Sequence, residues 1–371
     1  MENLWSGKRF GVLFSVLLTA FTAYALLDTF VIPRQYAVVA PDSEAVQLNE
    51  VTAPPQDTER NAPTSQNADN SDAQETQSQS ADGSEAIPDM SRKPRRTHSG
   101  AGGSRTKSRE SADGSATNNG NAENSVTVTE SGVRSYSDDN ISINITQYRA
   151  YNTDIYVADV TLSSPEYLKT ALAGNAYGRN IKEKTSTIAA ENNAILAING
   201  DYYGARNSGY VIRNGTLYRD SAAGGEVLAI FADGSFRIAD DREVTAQALL
   251  DAGAVQVLSF GPALVKDGAV TVTEGQEVGK AMASNPRTAI GVMDNLHYVF
   301  VVADGRTGQS AGMSLYELAE FMRGLGVKTA YNLDGGGSST MTFNGEIINH
   351  PTTNGNSVKE RSVSDIVYLG A

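Results

Sequence analysis

The amino-acid sequence predicts an α+β fold: a mixed β-sheet with several β-hairpins and a few packed helices, behind an N-terminal transmembrane helix and a disordered tether. Three observations carry that prediction. Apolar and polar residues alternate over 141–148 and 154–162, the period of half-buried strands. Turn dipeptides recur at Asn214-Gly215, Asp233-Gly234, Asp267-Gly268 and Asn344-Gly345, each joining two strand-like runs. Residues 37–135 contain no aromatic side chain, and a stretch so poor in large apolar groups cannot offset the entropy of ordering itself.

The N-terminus comes first. Lys8 and Arg9 precede 18 uncharged residues over 10–27, enough for a helix of ~27 Å, close to the hydrocarbon thickness of a bilayer. Basic residues before the run and Asp28 after it place the N-terminus inside and the rest outside. A cleaved signal peptide competes with this, because Ala23-Tyr24-Ala25 resembles a small-residue cleavage site. The apolar run continues through that site and Phe-Val-Ile follows at 30–32, which favours an uncleaved anchor. The expected plan is therefore a cytoplasmic tip and signal-anchor over 1–32, a low-complexity linker over 33–132, and one folded domain over 133–371, on the outer side of the cell membrane. The linker's tether-like stretch over 41–132, some 90 residues, spans ~50–55 Å as a coil. Within it lies a basic cluster, Arg92, Lys93, Arg95, Arg96, Arg105, Lys107 and Arg109. It reads as a solvated charge run or as an attraction to anionic wall polymer or lipid headgroups.

In the folded region the order of elements is legible. After the two alternating strands, 165–173 and 182–191 read as helices, and 194–199 as a continuous apolar strand near the centre of a sheet. The four hairpins follow, with a further pair, 286–293 and 296–303, turned at Asp294-Asn295. Ser314 and Glu317 form a capping box for a helix that Gly324 and Gly326 stop, and 328–333 continues as a strand.

Composition narrows the chemistry. The chain has 371 residues, 40% hydrophobic and 20% charged, with 35 Gly and a net charge of −13. Residues 1–132 hold 11 Lys+Arg against 17 Asp+Glu and the remainder 19 against 26, so both parts are acidic. That balance argues against nucleic acid as a partner. No cysteine is present, which excludes a disulfide framework, a thiolate zinc site and cysteine catalysis. Three histidines, His98, His297 and His350, make a multi-histidine metal centre improbable.

Polar, glycine-rich segments follow or open the apolar strands, where backbone approaches a ligand closely. Asn199-Gly200-Asp201-Tyr202 follows 194–198. Arg287 opens the 288–293 strand, and Asp304-Gly305-Arg306 follows 298–303. Asn332-Leu333-Asp334 leads into Gly335, Gly336, Gly337 and Ser338. The carboxylates are candidate acids, bases or nucleophiles, and the arginines are planar forks suited to phosphate. The Tyr202-Tyr203 pair suits core packing or a sugar-stacking platform equally. His350, beside Pro351, is either a packed turn residue or a proton-transfer group. No G-x-S-x-G elbow marks a serine nucleophile, and no Gly-Lys-Ser/Thr ending marks a P-loop.

Taken in order, the segments at 199–203, 260–268, 285–291, 303–306, 332–339 and 361–367 resemble the phosphodiester glycosidase family over about 165–371. That resemblance implies hydrolysis of a sugar-1-phosphodiester, of the N-acetylglucosamine-1-phosphate type, at the anomeric carbon. It makes Asp334 the first choice for the carboxylate that serves the sugar, Asp304 the second, and Arg287 a catalytic partner for the leaving phosphate. Asn199, Gly200, Asp201, Tyr202, Arg306, Asn332, Gly335, Gly336, Gly337, Ser338 and His350 are then the substrate-binding set. Members of the family often carry glycine where this chain has Asp201, which counts against an essential carboxylate there. No cofactor is required; an oxygen-ligated Ca²⁺ among the Asp-Gly segments stays open. Two other classes compete: a non-catalytic envelope carbohydrate-binding module, and a metal-dependent phosphodiesterase.

Overall fold

The computed structural model describes residues 7–38, 127–278 and 284–370, all within one compact unit. Most of the expected tether, with its basic cluster, lies outside them. Every strand pairing among the described residues is antiparallel, so the expected α+β sheets are hairpins and returning strands throughout.

Three sheets build the body. The largest runs Ala269–Val270, Ala263–Lys266, Thr329–Asn332, Arg287–Asp294, His297–Ala303, Thr153–Leu162, Ile141–Ala150, Thr127–Ser137. A five-stranded sheet runs Glu346–Ile347, Met341–Phe343, Leu196–Asn199, Asp365–Leu369, Leu168–Leu172. Another runs Phe236–Asp240, Glu226–Phe231, Ala254–Leu258, Val211–Arg213, Thr216–Arg219. Their inner faces share one core, in which Ile143, Val160, Phe300 and Tyr331 meet Ile198, Val367, Ile230 and Leu258. Alternation by two along each strand puts these residues on one side, and helices cover the backs. Leu315–Gly324 lays Leu315, Leu318, Phe321 and Met322 against the largest sheet, Ala246–Asp251 covers the 226–258 strands, and Thr185–Glu191 packs beside Leu196–Asn199.

The hairpins form at all four predicted dipeptides, and the Ser314–Glu317 capping box is present in both directions. Three local readings change. Residues 165–173 are not a helix: a 3-10 turn, Pro165–Tyr167, leads into the strand Leu168–Leu172. Pairing with Asp365–Leu369 satisfies that backbone and buries Leu168, Thr170 and Leu172, a tertiary gain that outweighs local propensity. The hairpin turn falls at Asn295-Leu296, one residue later than read, because Leu296 accepts a φ of 55° while packing on the core. The helix Ala246–Asp251, capped by Thr245 accepting from the Ala248 amide, has too few residues to show a period.

Arg213 ties two sheets together. Its guanidinium, 2% exposed, donates to Asp365 Oδ2 at 2.9 and 2.7 Å and reaches Asp201 Oδ2 at 3.0 Å. It also donates to the carbonyls of Ile212 and Val257. One buried cation between two buried anions leaves a surplus negative charge, and burial pushes the Asp365 carboxyl up to about 7 while Arg213 opposes the rise. Between the ordinary carboxylate range and about 7 the folded chain then holds a proton that the unfolded chain has released. This group therefore favours the fold at low pH, and its contribution is lost as pH rises through about 7. Two outcomes follow. Arg213→Leu, which strands two buried carboxylates, lowers stability by about 3–5 kcal/mol in urea denaturation. Asp365→Asn flattens the fall of melting temperature between pH 4 and 7.

Candidate active site

The sheets converge at one end. Arg287 pairs with Ala303 in adjacent strands, Asn332 lies opposite Ala289, and the Leu196–Asn199 strand ends against them from the second sheet. Asn199 makes that junction. Its Nδ2 donates to the Asp334 carbonyl at 2.6 Å, and its Oδ1 accepts from Thr288 Oγ1 at 2.9 Å and from the Thr340 amide at 3.2 Å. Asn332 is equally buried and donates to the Gly261 carbonyl at 2.8 Å. Both side chains hold loops in place rather than facing solvent.

At the centre is Asp334. Its amide donates to the Gly200 carbonyl at 3.2 Å, fixing the backbone between two strand ends. Ser338 Oγ donates to its Oδ2 at 2.6 Å, and Arg361 Nη2 reaches the same oxygen at 3.3 Å. Arg361 also donates to Ser338 Oγ at 2.9 and 2.6 Å and to the Gly335 carbonyl at 3.1 Å. Both of these bonds fall on Oδ2 of the carboxylate. Burial raises the Asp334 carboxyl above its usual range, while Arg361, Ser338 and Arg206 pull it down.

Three more arginines approach. Arg306, at φ 62°, donates to Asn285 Oδ1 at 2.9 Å and to the Thr353 carbonyl. Burial and then the neighbouring charges of Arg361 and Arg287 lower its affinity for its proton. Gly336 lets it lie there, since a Cβ at that residue would come 2.9 Å from the guanidinium. Gly337 would likewise meet Thr353 Oγ1 at 2.4 Å, so the glycine run is required by loop packing. The Gly336 amide is already given to the Pro286 carbonyl at 2.8 Å. Arg287, buried, donates to the Met313 carbonyl and to Glu277 Oε2 at 2.8 and 2.7 Å. Arg206 stacks its guanidinium 6.0 Å from the Tyr202 ring and 5.0 Å from Phe260.

The adjacent tyrosines differ in burial. Tyr202 is 41% exposed at this rim, while Tyr203 is buried in the core. Asp201 faces inward, accepting from the Tyr203 and Ser259 amides and pairing with Arg213. Gly200 lies against Asp365, where a Cβ would come within 2.5 Å of the carboxylate.

Asp304 and His350 form a second centre. Asp304 is buried and accepts from Asn349 Nδ2 at 3.0 Å and the His350 amide at 2.9 Å; its Oδ2 lies 3.0 Å from His350 Nδ1. A carboxylate can only accept, so Nδ1 carries the hydrogen and Nε2 is left for proton transfer. Burial raises the Asp304 carboxyl, and the bonds from His350 and Asn349 oppose it. The imidazole opens on a cleft of about 470 Å³ lined by Arg134, Gln147, Tyr156 and Lys359. Residues 358–360 of its wall lead directly to Arg361 at the Asp334 centre, and Asp304 backs His350.

Among the described residues no three acidic or histidine side chains converge as a metal site; Asp201, Asp304 and Asp334 each turn to different protein donors. Sequence reasoning missed the roles of Arg361, Arg206 and Arg213. Arg361 opens the 361–367 segment, whose order in the chain was the signal available. Arg213 sits in an unremarkable apolar hairpin, and nothing local marks it.

A sequence-family profile described as phosphodiester glycosidase matches residues 192–369. The SPbeta prophage-derived uncharacterized protein YomE of Bacillus subtilis (strain 168) is 32% identical over 182 residues, 47% of this chain and 28% of that protein. N-acetylglucosamine-1-phosphodiester alpha-N-acetylglucosaminidase of Mus musculus is 36% identical over 110 residues, 26% of this chain and 21% of that enzyme, and the Homo sapiens enzyme matches to the same extent. The chain thus spans about a quarter of the length of these relatives. In structure, the zebrafish enzyme's catalytic domain, auto-inhibited by its pro-peptide, superposes with a TM-score of 0.51 at 20% identity, covering 66% of this chain and 88% of that one. A hypothetical protein from Synechocystis gives 0.50 at 16% identity, with 66% and 67% covered. These two establish the shared fold.

Arg361 lowers the Asp334 carboxyl by its charge, so Arg361→Ala moves that titration upward, whereas Arg361→Lys moves it less. Carboxyl ¹³C shifts of Asp334 followed over pH check this directly; an unmoved titration in Arg361→Ala would show that the pair is not coupled.

Proposed function

Because residues 192–369 belong to the phosphodiester glycosidase family, we propose that this chain hydrolyses sugar-1-phosphodiesters at the anomeric carbon, outside a membrane that its N-terminal helix spans. The observation that carries the reading is that Arg361 bonds the Asp334 carboxylate and Arg206 acts on it by charge, with Arg306 close enough to Arg361 to feel its charge. Cationic forks beside a buried acid suit a substrate with an anionic leaving group and a cation-like sugar in the transition state. The helix Gly7–Phe30 supports the membrane half: over Gly11–Asp28 it is long and apolar enough to cross a bilayer, and its apolar side chains are exposed.

The chain's residues then divide the work. Arg361 and Arg306 hold the phosphodiester oxygens and stabilise the charge that grows as the C1–O bond breaks. The electron pair of that bond leaves with the phosphate, giving a phosphomonoester. Asp334 Oδ1 faces the anomeric carbon, as nucleophile or as base toward water, and Tyr202 offers the sugar a ring face. A phosphodiester is a stabilised leaving group, so little protonation is needed. Where Asp334 is the nucleophile, water then cleaves the sugar–Asp334 ester and the Asp304–His350 pair accepts its proton; where Asp334 is the base, it takes that proton itself.

The relatives from mouse and human are named for N-acetylglucosamine-1-phosphodiesters, which sets the first substrate to try. An exported domain on a membrane helix points to sugar-phosphate linkages in envelope glycopolymers as its working class.

The full chain should release free N-acetylglucosamine from UDP-N-acetylglucosamine or an alkyl N-acetylglucosamine-1-phosphate, with label from ¹⁸O-water in the sugar. Asp334→Asn lowers kcat by roughly 10³-fold and Arg361→Ala by roughly 10²–10³-fold. Label in the phosphate would mean P–O cleavage and sink the assignment. In the wild type, kcat/KM declines on the acid side at a pH above the ordinary carboxylate range, because burial raises Asp334.

A further inference from the structure

The segment that follows the membrane helix is part of the folded domain. The helix ends at Phe30, and the amides of Val31 and Ile32 close its last turn on the Leu27 carbonyl. Four residues after the helix, Arg34–Val38 is a strand that pairs antiparallel with Ala176–Arg179, Arg34 opposite Arg179 and Gln35 opposite Gly178. Asn180 Nδ2 donates to the Ile32 carbonyl at 3.3 Å, and Arg34 pairs with Asp28 on the helix itself. Gly178 permits the approach, since a Cβ there would lie 2.0 Å from the Arg34 carbonyl oxygen. The chain thus enters the domain before residue 39 and re-enters it at Thr127.

The strand also touches the rear of the candidate site. Tyr36 packs 5.9 Å from Tyr177, which stacks 5.4 Å from Tyr203. Tyr36, Arg206 and Arg219 line one small cavity of about 130 Å³, and Arg206 is the arginine that stacks on Tyr202 and acts on Asp334. Arg34 and Arg179 oppose each other across this strand pair, on a chain whose net charge is −13. Two such guanidinium groups are what an anionic headgroup layer attracts.

We propose that Arg34–Val38 is a docking strand that holds the domain against the bilayer, with the Tyr202–Arg206 rim at headgroup level. The substrate class within reach is then a sugar-1-phosphodiester carried on a membrane lipid. Four extended residues beyond the helix end reach ~13 Å from the bilayer, whereas a coil of some 90 residues would hold the domain ~50 Å away. The docking half stands on the strand pairing alone; the substrate half rests on the glycosidase reading.

The test uses the full chain in vesicles of phosphatidylethanolamine and phosphatidylglycerol, and the lack of native cysteine makes introduced probes unambiguous. Arg34→Cys with Arg179→Cys should form a reducible cross-link, since directly opposed strand residues lie within disulfide reach. Energy transfer from a dye on Lys182→Cys to acceptor lipids should report a height of roughly 20 Å or less. Gln35→Pro, which fixes φ near −65° and takes an N–H out of the strand, and Gly178→Ala should each raise it toward ~50 Å with far-UV circular dichroism unchanged. A wild-type height near ~50 Å, absence of the cross-link, or membrane-bound protein whose intact mass lacks residues 1–25 would each overturn the docking. For the substrate half, Gln35→Pro should keep its rate on a soluble alkyl N-acetylglucosamine-1-phosphate and lose about tenfold or more on an octadecyl one embedded in the vesicles. Equal rates on both substrates in wild type and variant would overturn it. No turnover of the soluble ester by wild type refutes the glycosidase reading while leaving the height measurement to decide the docking.

Discussion

Arg213 is the constraint on which the arrangement depends. A guanidinium taken out of water between Asp201 and Asp365 is tolerable only while both carboxylates and the carbonyls of Ile212 and Val257 surround it. Those partners come from four separate stretches of chain. Asp365 opens a strand of one five-stranded sheet, Val257 and Ile212 lie in the other, and Asp201 belongs to the loop after Leu196–Asn199. Satisfying one buried cation therefore sets how the sheets meet. Gly200, lying against Asp365, passes that register to the Asp334 amide through its carbonyl.

From there the site is assembled by buried amides rather than by its acids. Asn199 joins Thr288, Thr340 and Asp334; Asn285 receives Arg306; Asn349 reaches Asp304 and the Ser339 carbonyl. Neutral side chains that both donate and accept can hold several loops without adding charge to a place already crowded with arginines. The charged groups then differ from one another by environment. Asp334 and Asp304 are both raised by burial, but one is opposed by a guanidinium and the other by an imidazole and an amide. Such paired but unlike carboxyls are what division of labour between two acids requires.

The strand at Arg34–Val38 changes how the N-terminal region is understood. Composition describes 33–132 as one linker, yet its first residues pair with Ala176–Arg179 as a sheet edge. A five-residue strand with Arg, Gln and Tyr has no pattern that separates it from a polar linker. Its partner edge supplies the missing backbone bonds, and that edge is known only once the domain is folded.

What the sequence by itself determined is the class, the hairpins and the chemical inventory. Asn-Gly and Asp-Gly turns, a Ser314–Glu317 capping box and alternating apolar runs are short-range signals, and short-range forces produce the elements they mark. The order of polar segments along the chain likewise named the family. Only the tertiary structure decided which of those polar residues are buried clamps. Asn199, Asn332 and Asp201 stand beside candidate catalytic residues in the chain, yet their burial turns them inward. Arg361 and Arg206 reach Asp334 from 27 and 128 positions away. The helix expected at 165–173 gives way to the strand Leu168–Leu172 because a distant partner, Asp365–Leu369, completes it. Contacts between residues far apart in sequence carry no local pattern, so the meeting of sheets at Arg213, and with it the site, is legible only in three dimensions.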